Sequence, residues 1–234
     1  MTNKEIKICV DSLHDVNYSL SNNGETILFN ACKYINNKSV YAIQLLLEKG
    51  ADPNIKNING NTPLIMAVYQ WAKHKHNMIF EIVNELVKPE HNVDIGTTNN
   101  YNKNALYYAC LHAMPDVALI LINTGKSNPC INDYDGDTSL YQACLNKMED
   151  VAIRLIELCP TLTNTIYRNM SIYDIALKNN LTRVLIMIDP LLHVLRGIET
   201  HTKQPFYDIE SIFELQDHLN RGGKTRKKRS TKIN

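Results

Sequence analysis

The octet Gly60-Asn-Thr-Pro-Leu-Ile-Met-Ala67 recurs in four related copies along this chain of 234 residues. The other copies begin at Gly24, Asn102, Gly136 and Asn169, so successive starts lie 36, 42, 34 and 33 residues apart. Each copy has Thr, Asn or Ser at its third position, where a side-chain oxygen can cap a helix by accepting a hydrogen bond from a backbone N–H one turn later. In four copies Leu follows at the fifth position and Ala at the eighth, which places both on one helical face. A unit of about 33 residues that repeats in this way predicts a stacked helical array.

A second helix is predicted in each unit, after the helix that begins in the octet. Residues 42–49, 117–123 and 151–158 are apolar at helical spacing. The first of these segments ends at Gly50, which we expect to close its helix in a left-handed conformation. The unit is therefore predicted to be a helix-turn-helix.

The period and the Thr62-Pro63-Leu64 core resemble the ankyrin-repeat family over residues 13–188. The resemblance implies an all-α ankyrin-repeat solenoid of about five helix-turn-helix units, with helical caps at both ends and essentially no extended strand. The boundaries that we predict are an N-terminal capping half-repeat at 1–21, repeats at 22–58, 59–100, 101–133, 134–166 and 167–188, a C-terminal helical cap at 189–220 and a disordered basic tail at 221–234.

The composition excludes several classes of protein. Only 9 glycines and 8 prolines argue against a collagen-like or low-complexity chain. No apolar run approaches the ~18 residues of a membrane helix, and the N-terminus lacks the apolar region of a signal peptide. The six cysteines therefore predict reduced thiols rather than disulfides in an intracellular protein, cytoplasmic or nuclear. The 28 asparagines suggest an AT-rich genome, and the whole resembles ankyrin proteins of large DNA viruses, which act in the host cell.

Charge is distributed unevenly. Residues 1–220 carry 18 basic and 24 acidic side chains, whereas residues 221–234 carry seven basic ones and no acid. This tail is typical of a nuclear-import signal, of a weak electrostatic contact with nucleic acid, or of an inert solubilising end. Its core residues are Lys224, Arg226, Lys227, Lys228 and Arg229.

No motif in the sequence predicts catalysis, a metal or a cofactor. Gly222-Gly-Lys-Thr225 lacks the glycine that a phosphate-binding loop needs six residues before its lysine, where His218 stands. His74 and His76 have no acidic or cysteine ligand nearby. Cysteines follow the octet alanine at equivalent places in three units, which predicts small core residues; they are Cys32, Cys110 and Cys144.

The resemblance implies a non-enzymatic, monomeric scaffold that binds a protein partner through the turn tips and the exposed side of the first helices. A tyrosine occurs at such a position in four units, and tyrosine is favoured in binding hot spots; an ordinary wet surface is the alternative. The candidate positions are Asn22, Asn23, Glu25, Lys33 and Tyr34; Ile58, Asn59, Asn61, Tyr69 and Gln70; Asn100, Tyr101, Lys103, Leu111 and His112; Tyr134, Asp135, Asp137, Leu145 and Asn146.

Two other functions stay open. A substrate-recruiting adaptor, for example to a ubiquitin ligase, would use residues 189–220, where 208–220 reads as an amphipathic helix. A nuclear or nucleic-acid-associated protein would use the tail. Insertions near 34–39, 71–77 and 89–96 are either tolerated drift or binding loops.

Overall fold

The structure is a computed structural model that describes residues 2–19, 21–70 and 76–189. The chain divides into two compact units, Met1–Val184 and Leu185–Asn234. The first unit contains the repeats, and the structure describes only residues 185–189 of the second. The proposed C-terminal cap beyond residue 189, the basic tail and the inserted segment at 71–75 therefore lie outside the described residues.

Helices dominate the described part of the chain. They are α1 (Asn3–Asp11), α2 (Ile27–Lys33), α3 (Ser39–Glu48), α4 (Pro63–Tyr69), α5 (His76–Leu86), α6 (Ala105–Leu111), α7 (Pro115–Asn123), α8 (Ser139–Leu145), α9 (Glu149–Leu158), α10 (Ile172–Lys178) and α11 (Thr182–Ile188), with short 3₁₀ helices at Pro89–His91 and Pro160–Asn164. No helix within these described ranges is long and apolar enough to cross a bilayer.

Within the first unit the helices form two rows. Helices α2, α4, α6, α8 and α10 pack each against the next, and we call them row A. Helices α1, α3, α5, α7 and α9 do the same, and we call them row B. Each row A helix from α2 to α8 also packs against the row B helix that follows it in sequence. The prediction of an all-α array of helix-turn-helix units is thus confirmed.

The third residue of each octet caps its helix as predicted. Each of the five side chains accepts a hydrogen bond from the backbone N–H three residues later, which satisfies one of the donors left free at a helix start. Pro63 occupies the first turn of α4, where its missing N–H costs nothing. The five caps are Thr26, Thr62, Asn104, Thr138 and Ser171.

The core lies between the rows and is built from the repeated octet positions. The fifth-position leucines Leu28, Leu64, Leu106 and Leu140 are all buried. The cysteines that follow the octet alanines, Cys32, Cys110 and Cys144, are buried free thiols, as the pattern predicted. Burial raises the pKa of all three thiols, that of Cys144 to about 12, which keeps them protonated and unreactive.

Extended structure in the described residues is limited to one short hairpin and two isolated bridges, in line with the expectation of essentially no strand. Strands β1 (Ile166–Tyr167) and β2 (Met170–Ser171) pair antiparallel. Arg168 and Asn169 between them both have positive φ, as the tight type I′ hairpin turn requires. Isolated antiparallel bridges also join residues 19 and 26, and 132 and 138.

The expectation of six reduced cysteines is wrong for one pair. Cys130 and Cys159 form a disulfide, with Cα atoms 5.5 Å apart. Cys130 precedes α8 and Cys159 follows α9, so the fold of a single helix pair brings together residues separated by 29 positions. Cys9, Cys32, Cys110 and Cys144 are free.

Candidate partner-binding surface

The turns that precede the row A helices project a row of large apolar side chains. Ile58 is 67% exposed, Tyr101 58% and Tyr134 77%. Ile58 and Tyr134 lie two residues before the glycines that open their octets, Gly60 and Gly136, and Tyr101 lies one residue before Asn102, which opens the third octet. We call these three residues the tip row. All three were predicted as surface positions from the octet spacing.

A buried side chain holds each turn of the tip row in shape. The Oδ1 atom of Asn57 accepts hydrogen bonds from the backbone N–H groups of Asn59 and Asn61, at 3.0 Å each. Equivalent pairs of bonds reach Oδ1 of Asn99 and Oδ1 of Asp133. Such side chain to backbone bonds mimic a backbone turn. Because all three acceptors are buried, they hold the exposed residues beside them in one conformation.

Neighbouring turns are also bonded to each other. The N–H of Ile58 donates to the carbonyl of Asn23 at 2.8 Å, and the N–H of Asn100 donates to the carbonyl of Asn59 at 3.0 Å. The Asn100 side chain adds a bond to the Ile58 carbonyl at 3.0 Å. Backbone and side-chain hydrogen bonds thus connect the turns of the first three repeats in series. The exposed residues along these turns include Asn22, Asn23, Asn59 and Asn100.

Three of the predicted surface residues are buried instead. Glu25, Asn61 and Asp137 all stand just before a helix cap, and at that place the side chain turns inward. Glu25 forms an ion pair with Lys33 at 2.7 Å, and Asn61 accepts a hydrogen bond from Asn99 at 2.8 Å. These three side chains therefore stabilise the turns from inside the fold and are not accessible to a partner.

Asp137 is the most strongly held of the three. The Tyr107 hydroxyl donates to its Oδ2 at 2.9 Å and the Gln142 amide donates to the same atom at 2.5 Å. Burial raises the pKa of the Asp137 carboxyl despite these bonds. Lys103 lies 3.2 Å from Asp133 and 4.8 Å from the centre of the Tyr107 ring, so a candidate surface lysine is tied to the same network.

An aromatic cluster lies on the first helices of the second and third units. Tyr69, at the end of α4, meets the Tyr108 ring edge to face at 5.1 Å. His112 stacks on Tyr108 at 6.3 Å, and burial lowers the pKa of the His112 ring, which favours its neutral form. Tyr69 and His112 were predicted; Tyr108 was missed, although Tyr107-Tyr108 stands where the second octet has Ile65-Met66.

The remaining predicted positions are scattered. Tyr34 is exposed at the end of α2, away from the tips, and Lys33 Nζ lies 5.2 Å from its ring centre. Asp135 and Leu145 are exposed, whereas Gln70, Leu111 and Asn146 are half-buried. The four tyrosines predicted to share one face thus belong to different parts of the unit. His74 and Gly222-Gly-Lys-Thr225 lie outside the described residues, as does the side chain of His76.

Among the residues the structure describes, no three acidic, histidine or cysteine side chains are grouped as metal ligands.

Comparison with known proteins gives the family. No curated protein matches the chain. A family model described as ankyrin repeats (3 copies) matches residues 3–79 and again residues 70–165, together more than half of the sequence. With the capped octets and the two rows of helices, this match shows that the chain belongs to the ankyrin-repeat family.

Proposed function

We propose that this protein is a non-enzymatic scaffold that binds a protein partner through the tip row and the exposed side of the row A helices. Ankyrin repeats are in general protein–protein interaction modules. The observation that carries the proposal is the tip row itself: Ile58, Tyr101 and Tyr134 are large, apolar and exposed, yet stand on turns fixed by buried hydrogen bonds.

Rigidity matters because ordering side chains and loops is one of the main costs of association. Tyrosine adds a large flat area and a polar tip, which is why it is enriched in hot spots. Because these turns are already ordered in the free protein, they lose little conformational entropy when the partner binds. Exposed Tyr69, which packs edge to face on the buried Tyr108, extends the aromatic surface onto the helices.

The test compares proteins recovered from cells by affinity purification of the full chain and of variants. The double variant Tyr101→Ala with Tyr134→Ala should lose its specific partner, since truncating hot-spot residues weakens binding roughly tenfold or more. The matched control is Leu158→Ala, at an exposed apolar side chain at the end of row B helix α9. Equal recovery by all three proteins, or equal loss in both variants, would contradict the proposal.

The adaptor role and the nuclear or nucleic-acid role remain proposals that rest on the sequence of residues 189–234. Chains ended after Glu199 and after Asn220 separate them: loss of a partner only in the shorter one supports an adaptor segment, and loss in both implicates the tail. Residues 221–234 fused to a cytosolic fluorescent protein test nuclear import. Titration with duplex DNA at two salt concentrations tests a tail contact, which should weaken steeply with salt.

A further inference from the structure

A groove of about 540 Å³ lies at the N-terminal end of the repeats, between α1, α2 and α3. Its lining is mainly apolar, with Ile6 and Val10 from α1, Ile27 and Ala31 from α2, and Leu46 from α3. It is open to solvent, since Cys9 and Lys38 in its wall are exposed. The groove is separate from the tip row.

The repeat register shows what shape the groove accepts. Helix α1 packs on α3 as a row B helix, so row B begins one unit before row A, whose first member is α2. The space beside α2 is therefore the place that a preceding row A helix would take. A helix in that space would have about the length of the row A helices of this chain, which have seven residues and are about 10 Å long.

Burial along the octets supports this assignment. The eighth-position alanines Ala67, Ala109 and Ala143 are fully buried, whereas Ala31 in α2 is only partly buried. The fourth position is buried in every later unit but partly exposed at Ile27. The side of α2 that faces away from α4 is thus apolar without being covered as its equivalents are.

Terminal repeats normally carry a polar outer face, because an apolar one lowers solubility. Helix α2 has such a polar residue at the seventh octet position, Asn30, where the next two repeats have the buried residues Met66 and Tyr108. It breaks the rule at Ile27 and Ala31. An apolar strip on α2 that is not fully covered, beside one polar substitution, is what a docking groove requires.

The charged side chains of the groove indicate which kind of partner segment it can bind. Lys38 lines the groove, and no acidic side chain is found among the described residues that line it. An exposed tyrosine, Tyr34, also lines it. An amphipathic helix places apolar residues at i, i+3, i+4 and i+7 into such a groove, and an acidic residue at its edge would pair with Lys38.

We propose that this groove, formed by α1, α2 and α3, is a second docking site, which takes an amphipathic helix of two to three turns with an acidic flank from a protein partner. The occupant completes row A by lying against α2 as a preceding helix would. Such a short helix is marginal alone in water, so the partner presents it within a fold or orders it on binding.

The probe is a displayed library of 16-residue helix-forming peptides, selected for binding to the full chain. The proposal expects enrichment of peptides with an apolar i, i+3, i+4, i+7 stripe and acidic flanks. Ala31→Arg, which fills the groove at a partly exposed position, should weaken their binding at least about tenfold. Lys38→Glu should reverse the charge preference, whereas the matched control Lys126→Glu, an exposed lysine after α7, should change nothing.

Cys9 gives an independent readout at the site. It is the exposed one of the four free cysteines, while the other three are buried with raised pKa values. A thiol reagent should therefore label Cys9 first, and an enriched peptide should slow that labelling. Circular dichroism of Ala31→Arg checks that the fold persists; if it does not, the Lys38→Glu reversal and the Cys9 protection decide.

Three results overturn the proposal: no enrichment of amphipathic helical peptides, peptides that leave Cys9 unprotected, or binding that ignores both groove variants. Protection of Cys9 that grows with protein concentration alone, with dimers in sedimentation, assigns the groove to a second copy and also overturns it. The tip-row double variant should bind the peptides normally, so failure here and failure of the proposed function are distinguishable.

Discussion

Leu140→Ala tests the repeat register on which both proposed surfaces depend. Leu140 has no exposed surface and lies in α8, which packs against α6, α9 and α10. Replacing a buried leucine by alanine loses transfer free energy and leaves a cavity, at a cost of about 2–5 kcal/mol. The matched control is Leu145→Ala in the same helix, where the side chain is 45% exposed. A leucine about half removed from water contributes about 1 kcal/mol, so the control should lose roughly that much.

Urea unfolding followed by far-UV circular dichroism measures both free energies of unfolding. With a slope of about 1–3 kcal/mol per molar urea, Leu140→Ala should lower the midpoint by roughly 1 M or more, and Leu145→Ala by clearly less. Tyr134→Ala, in the tip row, should cost under about 1 kcal/mol. If Leu145→Ala or Tyr134→Ala shifted the midpoint as far as Leu140→Ala, the assignment of core and surface within the octet would be refuted.

Three further perturbations test other contacts. Burial raises the pKa of Asp137, so the stability that its protonated form contributes is present below the ordinary aspartate pKa and is lost as pH rises through the raised value. The free energy of unfolding of the wild type relative to Asp137→Asn should therefore fall as pH rises above about 4, the ordinary aspartate pKa, and a constant difference would contradict this. The Asn146 amide donates to the carbonyls of residues 110 and 111 in the preceding unit, so Asn146→Ala should cost about 1 kcal/mol in thermal melts, whereas exposed Asn164→Ala should cost less. Four thiols should react in denaturant without reductant and six after reduction, and reduction of the Cys130–Cys159 bond should lower stability by roughly 3–4 kcal/mol; six thiols at the start would refute the disulfide.

The positions that could be predicted from the sequence are those at which every unit has the same neighbours. The cap Thr62, the core Leu64 and the core Ala67 have counterparts of the same kind in at least three other units, so the repeated pattern is enough to place them. The exposed tips follow from the same register, because they are the residues between a closing turn and the next cap. The stack is thus encoded redundantly.

The residue before the cap could not be placed in this way. Whether it turns inward depends on a side chain from another unit or from its own helix: Tyr107 and Gln142 for Asp137, Asn99 for Asn61, Lys33 for Glu25. These partners differ from unit to unit, so the octet pattern carries no signal for them. The residue class alone, polar and next to a glycine, favoured exposure.

The disulfide and the hairpin were missed for a related reason. Cys130 and Cys159 become neighbours only when α8 and α9 fold back on each other, and 29 residues of separation give no cue to that contact. Strands of two residues are too short to show an alternating pattern. The residue type of Asn169 was the available signal, because asparagine tolerates the positive φ found there better than most residues do.

The two proposed surfaces should act independently, and the reason lies in the stacking. In a repeat array each unit touches only its neighbours, so stability is close to a sum of unit and interface terms. The groove belongs to α1, α2 and α3, whereas Tyr101 and Tyr134 stand before α6 and α8, with α4 between them and the groove. Substitutions at Ala31 and Tyr134 should then add in their effects on stability to within about 0.5 kcal/mol, as expected for sites without shared contacts. One chain can then bind one partner at the tip row and a helix from another partner in the groove. The repeats between the two surfaces would hold the two partners at a fixed separation.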